Sequence, residues 1–143
     1  MSFDLGIKGG DIYFSSSGSL NLVSKNSKLR QDMLKIILTE IGENKFHRGY
    51  GSAIGKLSIG TAAGKDLVEL DLKSSVENAI RKLMSLQKAQ SSRQYLSPGE
   101  IIVSIVNIDA GRDSLDPRMY NVFVSVLTGE LTEIRELVTV KIA

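Results

Sequence analysis

Between Asp11 and Val23 the chain reads DIYFSSSGSLNLV, two short apolar alternations around a Ser/Gly turn. Ile12 and Phe14 alternate on the first arm and Leu20 and Leu22 on the second, which predicts a β-hairpin. The next twenty residues, SKNSKLRQDMLKIILTEIGE, change period. Leu29, Met33, Ile36, Ile37 and Ile41 recur at helical spacing on one face. Ser24, Asn26 and Ser27 are candidate N-caps, and Gly42 stands where a left-handed C-cap would end the helix. Leu34 and Leu38 widen the apolar face, so this helix is expected to be covered on more than one side. A glycine-rich irregular segment spans 44–65. A second helix places Leu72, Val76, Ile80, Leu83 and Gln87 on one face, flanked by Ala79 and Met84. Its start is open: Ser74 with Glu77 fits a capping box, and KDLVEL fits an earlier turn of the same helix.

SRQYLSPGE breaks that helix, because Pro98 imposes an extended entry and Gly99 permits a tight bend. IIVSIVNI (101–108) is apolar at Ile101, Val103 and Ile105 on one side and at Ile102, Val106 and Ile108 on the other. That pattern predicts a strand covered on both faces. MYNVFVSVL (119–127), a tight TGE turn and LTEIRELVTVKI (131–142) predict two more strands. Hairpin, two helices and a three-stranded antiparallel meander make an α+β fold. At 143 residues it is expected to form a single domain, 1–143.

Charge adds little direction. Eighteen basic and sixteen acidic residues are interspersed and leave a net charge of +2, so no nucleic-acid field is expected. There is no cysteine, which removes disulfides, thiolate metal sites and cysteine nucleophiles. The N-terminus is not expected to be a secretory signal, and no apolar run reaches a membrane span.

Gly-Lys occurs at 55–56 and at 64–65 within the glycine-rich segment, but neither copy completes the phosphate-loop pattern. Tyr50 and Ile59 stand where the first glycine belongs, and Leu57 and Asp66 stand where the hydroxyl belongs. His47 has no catalytic partner. Glu40, Glu43, Asp66, Glu69 and Asp71 are carboxylates with nothing to set two of them apart as an acid and a base. Asp109, Asp113 and Asp116 miss calcium-loop spacing and read as turn formers beside Pro117. No catalytic, cofactor or metal site is expected. What remains is more apolar surface than two helices and a few strands can cover, which points to a partner chain.

Several short motifs fall in a familiar order: Asp11-Ile12, Gly18, Leu20-Asn21-Leu22-Val23, Gln31, Leu38-Thr39-Glu40-Ile41-Gly42-Glu43 and Tyr50-Gly51-Ser52. In this order they resemble the N-terminal signature of the wedge and sheath-initiator proteins of contractile phage tail baseplates, which have relatives in contractile bacteriocins and type VI secretion baseplates. The likeness extends through the second helix and the following strand. It departs where relatives carry Glu-Pro-Arg: here Ser97-Pro98-Gly99 stands, with Glu100 the nearest acid. The resemblance implies a non-enzymatic structural protein of the virion tail baseplate, assembled in the host bacterial cytoplasm. It would bind larger wedge proteins and tail sheath subunits, with spike, hub or tube-initiator proteins as further candidates, and would template the first sheath ring by strand pairing. Nucleic acid and membrane are not implied. The bacteriocin and type VI settings remain alternatives, as does, from another class, a peptidoglycan hydrolase of the tail tip. The partner-binding residues to test are Leu34 and Leu38 on the first helix, Tyr50 and Gly51 in the loop, Pro98, and Ile134, Val138 and Val140 on the last strand. The hairpin of 119–127 and 131–140 is the expected sheath contact.

Overall fold

The computed structural model describes residues 2–56 and 64–142; the stretch of the glycine-rich segment at 57–63 lies outside them. The elements run β1 (Phe3–Leu5), β2 (Ile7–Lys8), β3 (Asp11–Ile12), β4 (Leu22–Ser24), α1 (Lys25–Leu38), α2 (Lys65–Ser91), β5 (Ile102–Arg112), β6 (Met119–Thr128) and β7 (Glu133–Lys141). The fold is α+β. β5, β6 and β7 form an antiparallel meander with β6 in the centre, and the helices pack on one of its faces. Leu29, Met33, Ile36 and Ile37 of α1 are buried, as are Leu72, Val76, Ala79, Ile80 and Leu83 of α2. They meet Tyr120, Val122, Val124 and Val126 of β6 and Ile134, Val138 and Val140 of β7. Each large aliphatic side chain buried this way contributes about 1.5–3 kcal/mol.

Three expectations need correction, and one open choice, the start of α2, is decided. First, α1 ends at Leu38, a turn before Gly42. Thr39 turns extended, its N–H and hydroxyl both bonding the Lys35 carbonyl, and Glu40 forms a parallel bridge with Ser52. Ile41 therefore leaves the helical face, and Gly42, with φ +100°, serves the bend that follows. Second, the earlier start of α2 holds, and Ser74–Glu77 is interior to the helix rather than its cap.

Third, β5 is not covered on both faces. Its pairing with β6 shifts register between Ile102 and Ser104 and again between Ile105 and Asn107. Each bulge inserts an extra residue and resets the alternation. Ile102, Ile105, Ile108 and Ala110 then turn toward the helices, leaving Val103 and Val106 exposed. Fourth, the N-terminal hairpin is larger than its alternation shows. Phe14 and Leu20 do bridge around the serine turn, but Leu22–Ser24 pairs with Phe3–Leu5 and Asp11–Ile12 pairs with Ile7–Lys8. Gly9 and Gly10, both at positive φ, link β2 to β3 in the two-residue turn that matches strand twist.

The break after α2 is built around a buried carboxylate. Pro98–Glu100 forms a single 3-10 turn whose capping box joins Ser97 and Glu100. Glu100 is only 2% exposed. Its carboxylate accepts from Ser97 N (2.7 Å), from Ser97 Oγ (2.6 Å) and from the Ser2 hydroxyl. Burial pushes this carboxyl up, but the hydrogen bonds from Ser2 and Ser97 outweigh burial and hold it below its ordinary value. A carboxyl lowered on folding stabilises the protein above its unfolded pKa, and that contribution is lost as pH falls through the folded value. Glu100→Gln, which keeps one acceptor and loses the charge, is expected to cost about 1–3 kcal/mol near neutral pH. The gap to wild type should close in strong acid; urea unfolding at both conditions checks it, and a pH-independent gap would exclude this account. Gly99 is tightly flanked: a Cβ would lie 2.9 Å from Asn26 Oδ1 and 3.2 Å from the Glu130 carboxylate, so those side-chain ends would have to shift to admit one.

Candidate partner-docking groove and strand edge

The outer face of α1 and the N-terminal arm enclose an open apolar groove of about 580 Å³, lined in part by Ile7, Val23, Leu34 and Leu38. Leu38 is 64% exposed. Leu34 lines the groove but is half-buried against the core, so it belongs to both surfaces. The arm carries further exposed apolar side chains, Phe3, Ile12, Phe14, Leu20 and Leu22. Apolar groups gathered on one protruding element are the mark of an interaction surface.

Polar clamps hold the arm on α1. Gln31 Nε2 donates to Leu5 O (2.7 Å), and Ile7 N donates to Gln31 Oε1 (2.9 Å). One amide thus satisfies the carbonyl of one residue and the N–H two residues on, as a neighbouring strand would. Gln87 does the same on α2, donating to Glu100 O (2.7 Å) and accepting from Ile102 N (3.0 Å). Lys35 adds an ion pair to Asp4. Burial alone would push the Asp4 carboxyl up and the Lys35 ammonium down. Their mutual bond and charge reverse both, lowering Asp4 and raising Lys35. Tyr50, half-buried beside them, is raised chiefly by burial.

Gly51 is buried and has an internal reason to be glycine. Its φ is +124°, and a Cβ would come 2.5 Å from the Thr39 carbonyl oxygen. Ser52 N donates to Thr39 O (2.8 Å), Ser52 Oγ donates to Ile37 O (2.6 Å), and Ile41 N donates to Ser52 O (3.1 Å). The Tyr-Gly-Ser element is a latch on the end of α1, and the expectation that Gly51 presents a docking surface is corrected by that burial. Pro98 is at the surface, and its carbonyl accepts from Gly129 N (3.0 Å).

Ile134, Val138 and Val140 are likewise internal, at 1%, 3% and 7% exposure. Their side chains face the helices and cannot be a docking face. The backbone beside them differs. Thr128 N donates to Thr132 O, and Ile142 N donates to Arg118 O, both in the register of the β6–β7 ladder. In an antiparallel pair, residues alternate between bonding their neighbour and pointing away. Even-numbered residues of β7 therefore bond β6, and Arg135, Leu137, Thr139 and Lys141 direct their N–H and C=O outward. Among the described residues no strand pairs with that edge. The opposite edge of the meander is partly covered by α2: Arg112 N donates to Glu69 Oε1 (3.3 Å), and Lys73 pairs with Asp109 (3.1 Å). A second cleft lies alongside β7, between Thr139–Lys141 and the segments Ile37–Glu40, Glu43 and Ser52–Gly55.

The remaining candidates scatter. His47 is exposed. Asp113 and Asp116 accept from Leu115 N and Arg118 N and shape the β5–β6 loop, as turn formers do; Asp109 is no turn former, because it lies within β5 opposite Phe123. Sequence reasoning missed the two glutamine clamps and the Asp4–Lys35 pair, whose partners lie 24–31 residues apart in three of these contacts. The Gly9-Gly10 turn did have a local signal: a glycine pair between short alternating segments.

No family model matches the chain, and no curated protein sequence matches it. As a fold it is similar to a crystal structure from Geobacter sulfurreducens named "putative tail lysozyme". The match covers 93% of this chain and 97% of that one, with a TM-score of 0.63 and 9% sequence identity. The two chains share a fold almost end to end. Among the described residues, no helix is long and apolar enough to cross a membrane.

Proposed function

We propose that this protein is a structural, non-enzymatic component of a contractile tail baseplate. Its arm and the α1 groove join it to larger wedge proteins, and the β7 edge receives an extended segment of the first sheath ring. The observation that carries this reading is the near end-to-end fold similarity to a protein named for a tail. The outward backbone groups of β7 support the strand-pairing part, since an open edge is a template for another chain. The exposed apolar arm supports the wedge contact. Bacteriocin and type VI baseplates use the same chemistry in a different setting.

The test has two arms. Leu38→Asp, at an exposed site, is expected to leave the fold intact and keep the protein out of wedge complexes on size-exclusion chromatography. Thr139→Pro is expected to enter baseplates that then lack sheath by negative-stain electron microscopy. Normal incorporation of the first, or full-length sheaths on baseplates containing the second, would overturn the respective assignment.

A hydrolase reading has two observations in its favour: the similar structure is named a tail lysozyme, and Glu40 and Glu43 line the same cleft. It requires the protein to clear purified cell walls and Glu40→Gln to abolish clearing. The structural reading requires no clearing.

A further inference from the structure

The exposed edge of β7 is not uniformly open. Arg30, on the outer side of α1, reaches across and donates from Nη1 to Arg135 O (3.1 Å). The same Nη1 lies 2.7 Å from Glu136 Oε1. Arg135 O is one of the outward carbonyls of β7, so the guanidinium bonded to it occupies a position that an incoming strand would use. Glu136 is less exposed than Arg30, with 17% against 48% of the side chain accessible. It anchors the guanidinium over the backbone, and the charge assistance strengthens both bonds. Nothing comparable covers Leu137, Thr139 or Lys141 among the described residues.

We infer that Arg30 is an edge guard. It holds the N-terminal half of β7 closed to strand addition in the unassembled protein and must be displaced when a strand pairs along the whole edge. The physical need is plain. A nine-residue edge strand with unpaired donors and acceptors invites pairing with a second copy of itself, and natural edges are blunted by charged side chains for that reason. Glu133, Arg135 and Lys141 alternate along β7 as charges on the outward-numbered positions, but their side chains leave the backbone groups open. Arg30 differs in bonding the edge backbone itself. It also lines the α1 groove, so a group bound there that competes with Glu136 for the guanidinium would free the Arg135 carbonyl. By linkage, occupation of the groove and pairing at the edge would then favour each other.

This inference rests on the reading of the β7 edge as a strand acceptor, not on a sheath subunit being what it accepts. The experiment therefore uses the purified protein alone. Sedimentation velocity across a concentration series compares wild type, Arg30→Ala, Thr139→Pro and the double variant, with circular dichroism confirming the fold of each. Arg30→Ala is expected to self-associate at concentrations about tenfold lower than wild type, which corresponds to about 1.4 kcal/mol. Adding Thr139→Pro should return it to wild-type behaviour. Should Arg30→Ala lose its fold, Arg30→Met keeps the stem without the guanidinium and carries the same comparison. A folded Arg30 variant that sediments like wild type would overturn the guard. So would a double variant that associates as strongly as Arg30→Ala, because the contact would then run through another surface. Failure of the sheath assignment alone would leave these sedimentation results unchanged.

Discussion

Val138→Pro is expected to destabilise the protein by about 3–5 kcal/mol, whereas Thr139→Pro, one residue on, is expected to cost no more than about 1 kcal/mol. The two positions look alike in a strand of alternating residues, but the ladder separates them. Val138 pairs with Val122 in the centre of the meander and is 3% exposed. As an even-numbered residue it directs its N–H at β6. Proline there removes that donor and leaves a buried carbonyl unsatisfied, which costs about 1–3 kcal/mol. The proline ring also replaces a valine packed against the helices, and imperfect filling of that site adds about 2 kcal/mol. Together these come to about 3–5 kcal/mol, which reaches the lower end of the total stability of a domain, about 5–15 kcal/mol. Thr139 points its N–H away from β6, and its side chain is exposed. Its replacement loses one exposed hydrogen bond, to Asn121 Oδ1 at 3.0 Å, worth no more than about 1 kcal/mol. Proline is tolerated at such edge positions. Urea denaturation of both variants checks the contrast, and equal stability would mean that the ladder phase is inverted. The choice also matters for function, because only a variant that folds can report on pairing at the edge.

Gly51→Ala is expected to destabilise the protein by roughly 3 kcal/mol or more, a large effect for one methyl group. Two independent costs add. The backbone at φ +124° is one that L side chains rarely adopt, and such strain costs about 1–3 kcal/mol. The new Cβ would also lie 2.5 Å from Thr39 O, 2.9 Å from Glu40 C and 3.0 Å from Ile41 N. All three are backbone atoms of the segment that ends α1, so none can rotate away, and overpacking adds about 1–3 kcal/mol. Relief requires the parallel bridge between Glu40 and Ser52 to open, which would release the Ser52 hydroxyl from Ile37 O. Thermal unfolding should report a drop of about 10 °C. A variant as stable as wild type would show that the latch is dispensable, and a partner contact would then be the better account of this glycine.

Local pattern determined the elements of this protein. Leu29, Met33, Ile36 and Ile37 repeat at helical spacing and all four are buried. The face from Leu72 to Gln87 is internal as well, and β6 and β7 lie close to where their alternation begins and ends, whereas β5 runs four residues past Ile108 to Arg112. These features depend on period alone, which neighbouring residues encode. Asp113 and Asp116 were legible as turn residues for the same reason, since each bonds an N–H two positions away.

Tertiary structure decided what period cannot carry. Ile41 continues the helical repeat, yet the helix stops at Leu38 because Ser52 offers residues 39–41 an alternative set of backbone partners. The apolar residues of β5 alternate as if for two covered faces, and two bulges re-phase them. Gln31 and Gln87 look like ordinary helix residues, and only the chain folded back beside them turns each amide into a strand substitute. For the same reason Ile134, Val138 and Val140 were drawn into the candidate docking surface. Alternation says that they share a face, but only the packing of α1 and α2 says that this face is the core, leaving the backbone edge of β7 and the guanidinium of Arg30 as what a partner would meet.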